Sequence, residues 1–406
     1  MSEIFEEYKQ LCEELNKFEA TKIPLCAAET YISDFTKHAL ISNFEGKYSF
    51  VEKNGNNSFI GGVYVHRLNE LLKRECQLVF HAKYSNADTL TGINCFTVCA
   101  MSLLKNTDSV LITTPEQGGH ASIPIILDKL GICYDAIPYD YENYQIDYMA
   151  LNHKIKSGAY NFLIFCQSDI INPPDMSKIL LPETMGIIYD GTQTLGLIAS
   201  GVIKNPLDIV KNIVLIGGTH KTLPAPACGL IMTNCNSYQR CLEKNITPNY
   251  LRNTQPNHIA ALLLALIEQE QNGAVYQRLT VEIANQLGKD LVDLDFKIAM
   301  LGNNRYTYTH QLFILMSQQD ADDFFQTAEK YNITLNIKHK RLFSNDGIRI
   351  GTQEIARYNW NPCNIKILAQ LLKAIKTHND EDIRFCRNQL ISLKIPHFTF
   401  EDIAIK

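Results

Sequence analysis

Between about residue 85 and residue 235 the chain alternates helix-like stretches with short, unbroken apolar runs. The runs are Ser109–Thr114 (SVLITT), Asn161–Ser168 (NFLIFCQS), Met185–Asp190 (MGIIYD), Asn212–Gly218 (NIVLIGG) and Cys228–Thr233 (CGLIMT). A half-exposed strand alternates apolar and polar residues, whereas runs rich in Ile, Leu and Val belong to strands covered on both faces. This pattern predicts an α/β domain built on a mostly parallel sheet. After about residue 275 the texture changes to a long helical stretch, Ala274–Leu294, and then to strand candidates near Gln311–Met316, Ile333–Ile337 and Gly347–Ile350. A smaller α+β domain is expected there. The division expected is an N-terminal helical arm over residues 1–30, a large domain over 31–273 and a small domain over 274–406.

The 406 residues suffice for two cores, and a formal charge of −5 with interspersed signs gives no electrostatic case for nucleic acid or membrane partners. The N-terminal segment reads as an acidic amphipathic helix, not a leader, so a cytoplasmic location is expected. Twelve cysteines occur without any C-x-x-C pair or matching histidine pair. Free thiols are expected, and no structural metal.

Chemistry-bearing residues fall just past these strands or at helix starts. Lys221 follows the run Asn212–Gly218 through Thr219 and His220, which places it at a carboxyl edge of the sheet. A lysine in a partly dry pocket loses its proton more readily and can form an imine with an aldehyde cofactor; a loop lysine is the plain alternative. Asp190 closes the run MGIIYD and can pair with a protonated pyridine nitrogen, or simply cap the next helix. Thr91, Gly92 and Ile93 open a helix, Asn94–Lys105, whose free N–H groups suit a phosphate. His120, after Gly118 and Gly119, can set an imidazole over a cofactor ring. Each feature alone is ordinary, and their order along the chain is what points to a cofactor site.

Across nearly its whole length the chain resembles serine hydroxymethyltransferase. The sharpest stretch is Thr219-His220-Lys221-Thr222-Leu223, similar to the family's T-H-K-T-L around its imine-forming lysine. Gly347-Ile348-Arg349-Ile350-Gly351-Thr352 matches G-I-R-I-G-T, whose arginine binds the substrate carboxylate through a planar fork. Gln117-Gly118-Gly119-His120 resembles H-G-G-H, with His120 in the place of the ring-stacking histidine. Leu25-Cys26-Ala27-Ala28-Glu29 resembles L-I-A-S-E, and Lys47-Tyr48 a K-Y whose tyrosine serves the partner subunit's site. The loop glutamate falls on Glu52 once a short insertion is allowed.

The resemblance implies an aspartate-aminotransferase-like (fold type I) architecture, pyridoxal 5′-phosphate on Lys221, and a homodimer with shared active sites. It implies Lys221, Glu52 and His120 as catalytic residues, and Thr91, Gly92, Ile93, His120, Asp190, Gln193, Thr219, His220 and Lys221 around the cofactor. Arg349 and Tyr48 would hold the substrate. The implied reaction makes or breaks the Cα–Cβ bond of a glycine-, serine- or threonine-like amino acid. Transamination, racemisation or decarboxylation from the same residues is the alternative, and a non-catalytic cofactor-binding homologue another.

Departures from the family's pattern largely spare the cofactor chemistry and crowd around the second substrate. Gln193 replaces a histidine, Ala225-Pro226-Ala227-Cys228-Gly229 replaces G-P-R-G-G, and Ala28 replaces the serine of L-I-A-S-E. Arg252-Asn253-Thr254-Gln255-Pro256 stands where a glycine-rich loop is usual, and Ala121 replaces the leucine of H-G-G-H-L. The stretch from Asn332 to Gly347 is shorter than the family's folate-contacting loop. The expectation is retained amino-acid imine chemistry with tetrahydrofolate given up; simple divergence with folate use retained is the alternative.

Overall fold

The five apolar runs form five strands of one seven-stranded sheet in the computed structural model, which describes residues 2–50 and 57–400. The strands are β1 (Tyr84–Asn86), β2 (Ser109–Ile112), β3 (Cys133–Ala136), β4 (Phe162–Cys166), β5 (Gly186–Asp190), β6 (Ile213–His220) and β7 (Pro224–Thr233). Their order is β1-β7-β6-β5-β4-β2-β3. Neighbours from β6 to β3 pair in parallel, while β7 runs antiparallel to both β6 and β1. The sheet is therefore mostly parallel, with one reversed strand.

Burial explains the unbroken apolar runs. Ile213 and Leu215 enter one core with Leu163, Ile187 and Leu230, while Val214 and Ile216 enter another with Ile164, Ile188 and Ile231. Successive side chains point to opposite faces of a strand, and here both faces are covered. The helix Gly92–Leu103 lies on the second face and buries Cys95, Phe96, Val98, Cys99 and Ala100. Cys95 and Cys99 are thus core thiols, and all twelve cysteines are free, seven of them buried.

The chain divides into two compact units. One comprises Ala28–Leu279, Leu301–Asn303 and Phe398–Lys406 and contains the large sheet; the other comprises Met1–Ala27, Thr280–Met300 and Asn304–His397. The residues of the expected N-terminal arm up to Ala27 fall in this second unit. Its antiparallel sheet has the order β8-β9-β11-β10, from β8 (Lys297–Ile298), β9 (Gln311–Leu315), β10 (Asn336–Lys340) and β11 (Asn345–Gly351). The segment Ile23–Pro24 pairs in parallel with Ile333–Thr334. The Gly351 amide donates to the Leu25 carbonyl at 2.8 Å.

Two expectations about extent change. The helix read as Ala274–Leu294 runs from Pro256 to Val292. Gly273 lies inside it, where an added Cβ would come within 1.9 Å of the Gln269 amide. The strand read as Ile333–Ile337 splits at Leu335 into the two-residue pair with Ile23–Pro24 and the start of β10. Among the described residues no helix is long and apolar enough to cross a membrane.

Candidate active site

Four of the expected residues follow the carboxyl ends of strands that point the same way. Lys221 follows β6, Asp190 ends β5, His120 lies in the loop after β2, and Thr91 lies between β1 and the helix Gly92–Leu103. Parallel α/β sheets bind ligands along that edge.

Thr91 is the N-cap of the helix, its hydroxyl accepting from the Asn94 amide at 3.2 Å. This closes one of the free amides and leaves the helix start turned toward β5 and β6. A Cβ on Gly92 would meet Thr192 Oγ1 at 2.6 Å and the Gly218 amide nitrogen at 2.8 Å, so only glycine lets the helix approach so closely. A Cβ on Gly218 would come within 3.1 Å of the Gly92 nitrogen and 3.3 Å of the His220 ring. The helix start, the end of β6 and the imidazole thus converge on one place.

His220 Nδ1 is buried there, with no hydrogen-bond partner among the described residues. Burial, and secondarily the Lys221 cation, depress the His220 pKa to about 4. An orphaned buried nitrogen beside free helix amides fits an anionic phosphate, which would supply both the missing partner and a counter-charge. The residues present fit the cofactor at this point.

Asp190 is held on both oxygens. Its Oδ1 accepts from the Thr192 amide at 2.8 Å and also from the Thr192 hydroxyl. Its Oδ2 accepts from Cys166 Sγ at 2.9 Å. Thr192 Oγ1 in turn accepts from the Gly218 amide at 2.8 Å, which ties the carboxylate to the end of the lysine strand. Burial, reinforced by the Asp190 charge, pushes the Cys166 thiol well above its ordinary pKa, so it remains a donor.

The turn carrying His120 is set by its glycines. Gly118 has φ +84°, and a Cβ on Gly119 would sit 2.2 Å from the Thr113 carbonyl. The His120 amide donates to Cys166 O at 2.8 Å, and His120 Nδ1 accepts from the Ser122 amide at 3.2 Å, leaving Nε2 to carry the proton of a neutral ring. Gln117, which replaces the family's first histidine, is buried in a capping box, its Oε1 accepting from the Thr114 amide and its Nε2 donating to Ile137 O at 2.6 Å.

Beyond the lysine, the Thr222 hydroxyl donates to Gln193 O at 2.9 Å and accepts from the Gly196 amide at 3.2 Å. Lys221 is anchored between this buried threonine and the end of β6, and Gln193 is buried beside it. Thr219 alternates to the other face of β6 from Gly218 and His220; its hydroxyl donates to Pro226 O at 2.7 Å. The structure thus ties the Thr219 side chain to the β6–β7 hairpin.

In the second unit Arg349 lies on β11, 4% exposed, directly across from Asn336 on β10. Arg349 Nη2 donates to Asn336 Oδ1 at 2.8 Å, and Cys26 Sγ lies 3.6 Å from the same oxygen. Gln353 Nε2 donates to Cys26 O at 2.7 Å, and a Cβ on Gly351 would be 2.5 Å from Ala27 Cα, so the Leu25-Cys26-Ala27 segment is fastened along β11. In the first unit Tyr48 packs edge-on to Phe59 at 4.5 Å and lines a cavity of about 640 Å³ with Phe44, Gly61 and Tyr64. Glu52 lies outside the described residues.

Thr192, Cys166 and Asn336 were not legible as site residues. Thr192 had a local signal, since Asp-Gly-Thr favours a side-chain-to-backbone turn. Cys166 and Asn336 had none, because each meets its partner only through strand register.

The serine hydroxymethyltransferase family model matches residues 2–372. The chain belongs to the serine hydroxymethyltransferase family. It is a pyridoxal-phosphate-dependent enzyme of the type that makes or breaks the Cα–Cβ bond of an amino acid. A serine hydroxymethyltransferase of Methanothermobacter thermautotrophicus is 28% identical over 98% of this chain and 96% of its own length. That of Thermoplasma volcanium is 27% identical over 90% of this chain and 88% of its own. Among solved structures, L-threonine transaldolase from Pseudomonas fluorescens in its internal aldimine state superposes with a TM-score of 0.87, covering 99% of this chain and 96% of that one at 19% identity. The shared architecture is fold type I.

Proposed function

We propose that this enzyme cleaves and forms the Cα–Cβ bond of threonine- or serine-like β-hydroxy amino acids without tetrahydrofolate. The observation that carries this reading is the hairpin of β10 and β11. Lys340 pairs with Asn345, so only residues 341–344 connect the strands where the family has its folate-contacting loop.

Bound pyridoxal phosphate supplies an electron sink for the pair left at Cα. The Lys221 amine would hold the cofactor through its aldehyde group and would serve product release. Asp190 would favour a protonated ring nitrogen, and His120 would stack on the ring. Thr91, Gly92, Ile93 and His220 would hold the phosphate, and Gln193 would border the ring. Arg349 grips the substrate carboxylate through its fork, and orientation by that grip selects the bond that breaks. By the resemblance, Glu52 accepts the β-hydroxyl proton and Tyr48 serves the partner's site.

The working form is proposed to be a cytoplasmic homodimer. Exposed Ile4, Tyr8, Leu11 and Leu15 form one stripe of the helix Glu3–Thr21, and Ile60, Val63 and Tyr64 are exposed in the other unit. Apolar surface of this kind calls for a covering partner.

The test is spectroscopic and kinetic. Purified protein reconstituted with pyridoxal phosphate is titrated with glycine, serine, threonine and alanine, with and without tetrahydrofolate, while aldehyde release is followed. Aldehyde from threonine, unchanged by tetrahydrofolate, is the expected result. Serine cleavage that begins only with tetrahydrofolate would overturn the folate-free reading.

A further inference from the structure

Asp190 and Cys166 are register partners on adjacent parallel strands, each the last residue of its strand. Cys166 is 2% exposed and its Sγ lies 2.9 Å from Asp190 Oδ2. A buried thiol usually fills a core as a small apolar group. This one instead points its S–H at a carboxylate that the proposed function places under the cofactor's ring nitrogen.

A carboxylate offers about four acceptor positions. Thr192 takes two on Oδ1 through its amide and hydroxyl, and Cys166 takes one on Oδ2. With donors held on both oxygens, rotation about the Cβ–Cγ bond would break contacts at each end of the carboxylate. The remaining position, on Oδ2, is left for one more N–H donor. The identity of the third donor matters as well. A thiol donates weakly, so it orients Oδ2 while leaving that oxygen a strong acceptor. Burial beside a carboxylate disfavours the thiolate, which keeps the proton on sulfur.

We infer that Cys166 is a positioning residue for Asp190, fixing the carboxylate so that Oδ2 meets the ring-nitrogen proton of pyridoxal phosphate. The inference rests on the role proposed for Asp190. It also goes beyond the family resemblance, none of whose matching motifs includes Cys166.

The experiment compares wild type with Cys166→Ala, Cys166→Ser and Asp190→Ala. Pyridoxal phosphate affinity and the absorption maximum of the bound cofactor are measured, together with the melting temperature of the cofactor-free protein. Cys166→Ala is expected to weaken cofactor binding by about fivefold to tenfold, the loss of one hydrogen bond to a charged group, and to move the absorption maximum. Cys166→Ser, which restores a donor, is expected to recover most of the affinity. Wild-type affinity and absorption in Cys166→Ala, even with a lowered cofactor-free melting temperature, would reduce Cys166 to a core residue and overturn the inference. If Asp190→Ala loses affinity in that case, the role of Asp190 survives and only Cys166 falls. If Asp190→Ala also binds as wild type does, the role of Asp190 falls, and that of Cys166 with it.

Discussion

Asn336 and Arg349 face each other across antiparallel strands, with the guanidinium Nη2 2.8 Å from the amide Oδ1. The acceptor is neutral. It can hold the fork at a set angle without cancelling charge intended for a substrate carboxylate. Asn336→Ala is expected to raise KM for the amino acid roughly tenfold with a smaller change in kcat, as loss of a bond to a charged group of about 1.5 kcal/mol implies. Asn336→Asp is expected to raise KM at least as far, because the new charge competes with the substrate. A wild-type KM in Asn336→Asp, measured by steady-state kinetics, would show that only the bond matters and not its neutrality.

Lys221→Ala should release the cofactor on gel filtration and abolish the visible absorption band. Turnover is expected to fall by on the order of a thousandfold or more, since the residue takes part in capture and release. Retention of the band would assign the imine to another lysine.

Gly92→Ala places a methyl 2.6 Å from Thr192 Oγ1 and 2.8 Å from the Gly218 nitrogen. Backbone cannot yield as a flexible side chain can, so the helix start must move away from β6. A cost of about 1–3 kcal/mol in stability is expected from such overpacking. Cofactor affinity should drop with it. Thermal melting with and without pyridoxal phosphate checks both, and an unchanged affinity would count against the helix start as the phosphate cradle.

His220 makes the cofactor-free protein sensitive to acid. Its pKa is held at about 4, below the ordinary 6.5, so between these values the unfolded chain binds the extra proton. Stability from this group is complete above pH 6.5 and falls as pH drops toward 4, by up to about 3 kcal/mol. Melting of the cofactor-free protein from pH 7 to pH 4 should show that loss, and His220→Asn should flatten it. Bound phosphate should also flatten it, since a nearby anion favours the imidazolium. Equal slopes for wild type and His220→Asn would rule His220 out as the source.

Local features of the fold were legible in the sequence, and long-range pairings were not. The runs SVLITT, NFLIFCQS, MGIIYD, NIVLIGG and CGLIMT became strands because burial on both faces leaves a local mark. Thr91 could be placed at a helix start because capping acts over three residues. The Cys166–Asp190 and Asn336–Arg349 pairs left no such mark, since strand register brings together residues 24 and 13 positions apart. The helix Pro256–Val292 begins well before the stretch Ala274–Leu294 read from the sequence, and Gly273 inside it admits the Gln269 side chain.

The pairing of Ile23–Pro24 with Ile333–Thr334 has a consequence for how the polypeptide is made. During translation these early residues leave the ribosome long before their partner strand exists. Every strand of the large sheet, Tyr84 to Thr233, emerges in the interval. Domains generally fold as units as they appear, so the large sheet can assemble while residues 23–27 still have no place to dock. Leu25 finds its Gly351 partner only once β11 has been made, and with it the segment beside Arg349 takes form. The nascent protein thus gains its cofactor cradle first and its carboxylate grip last.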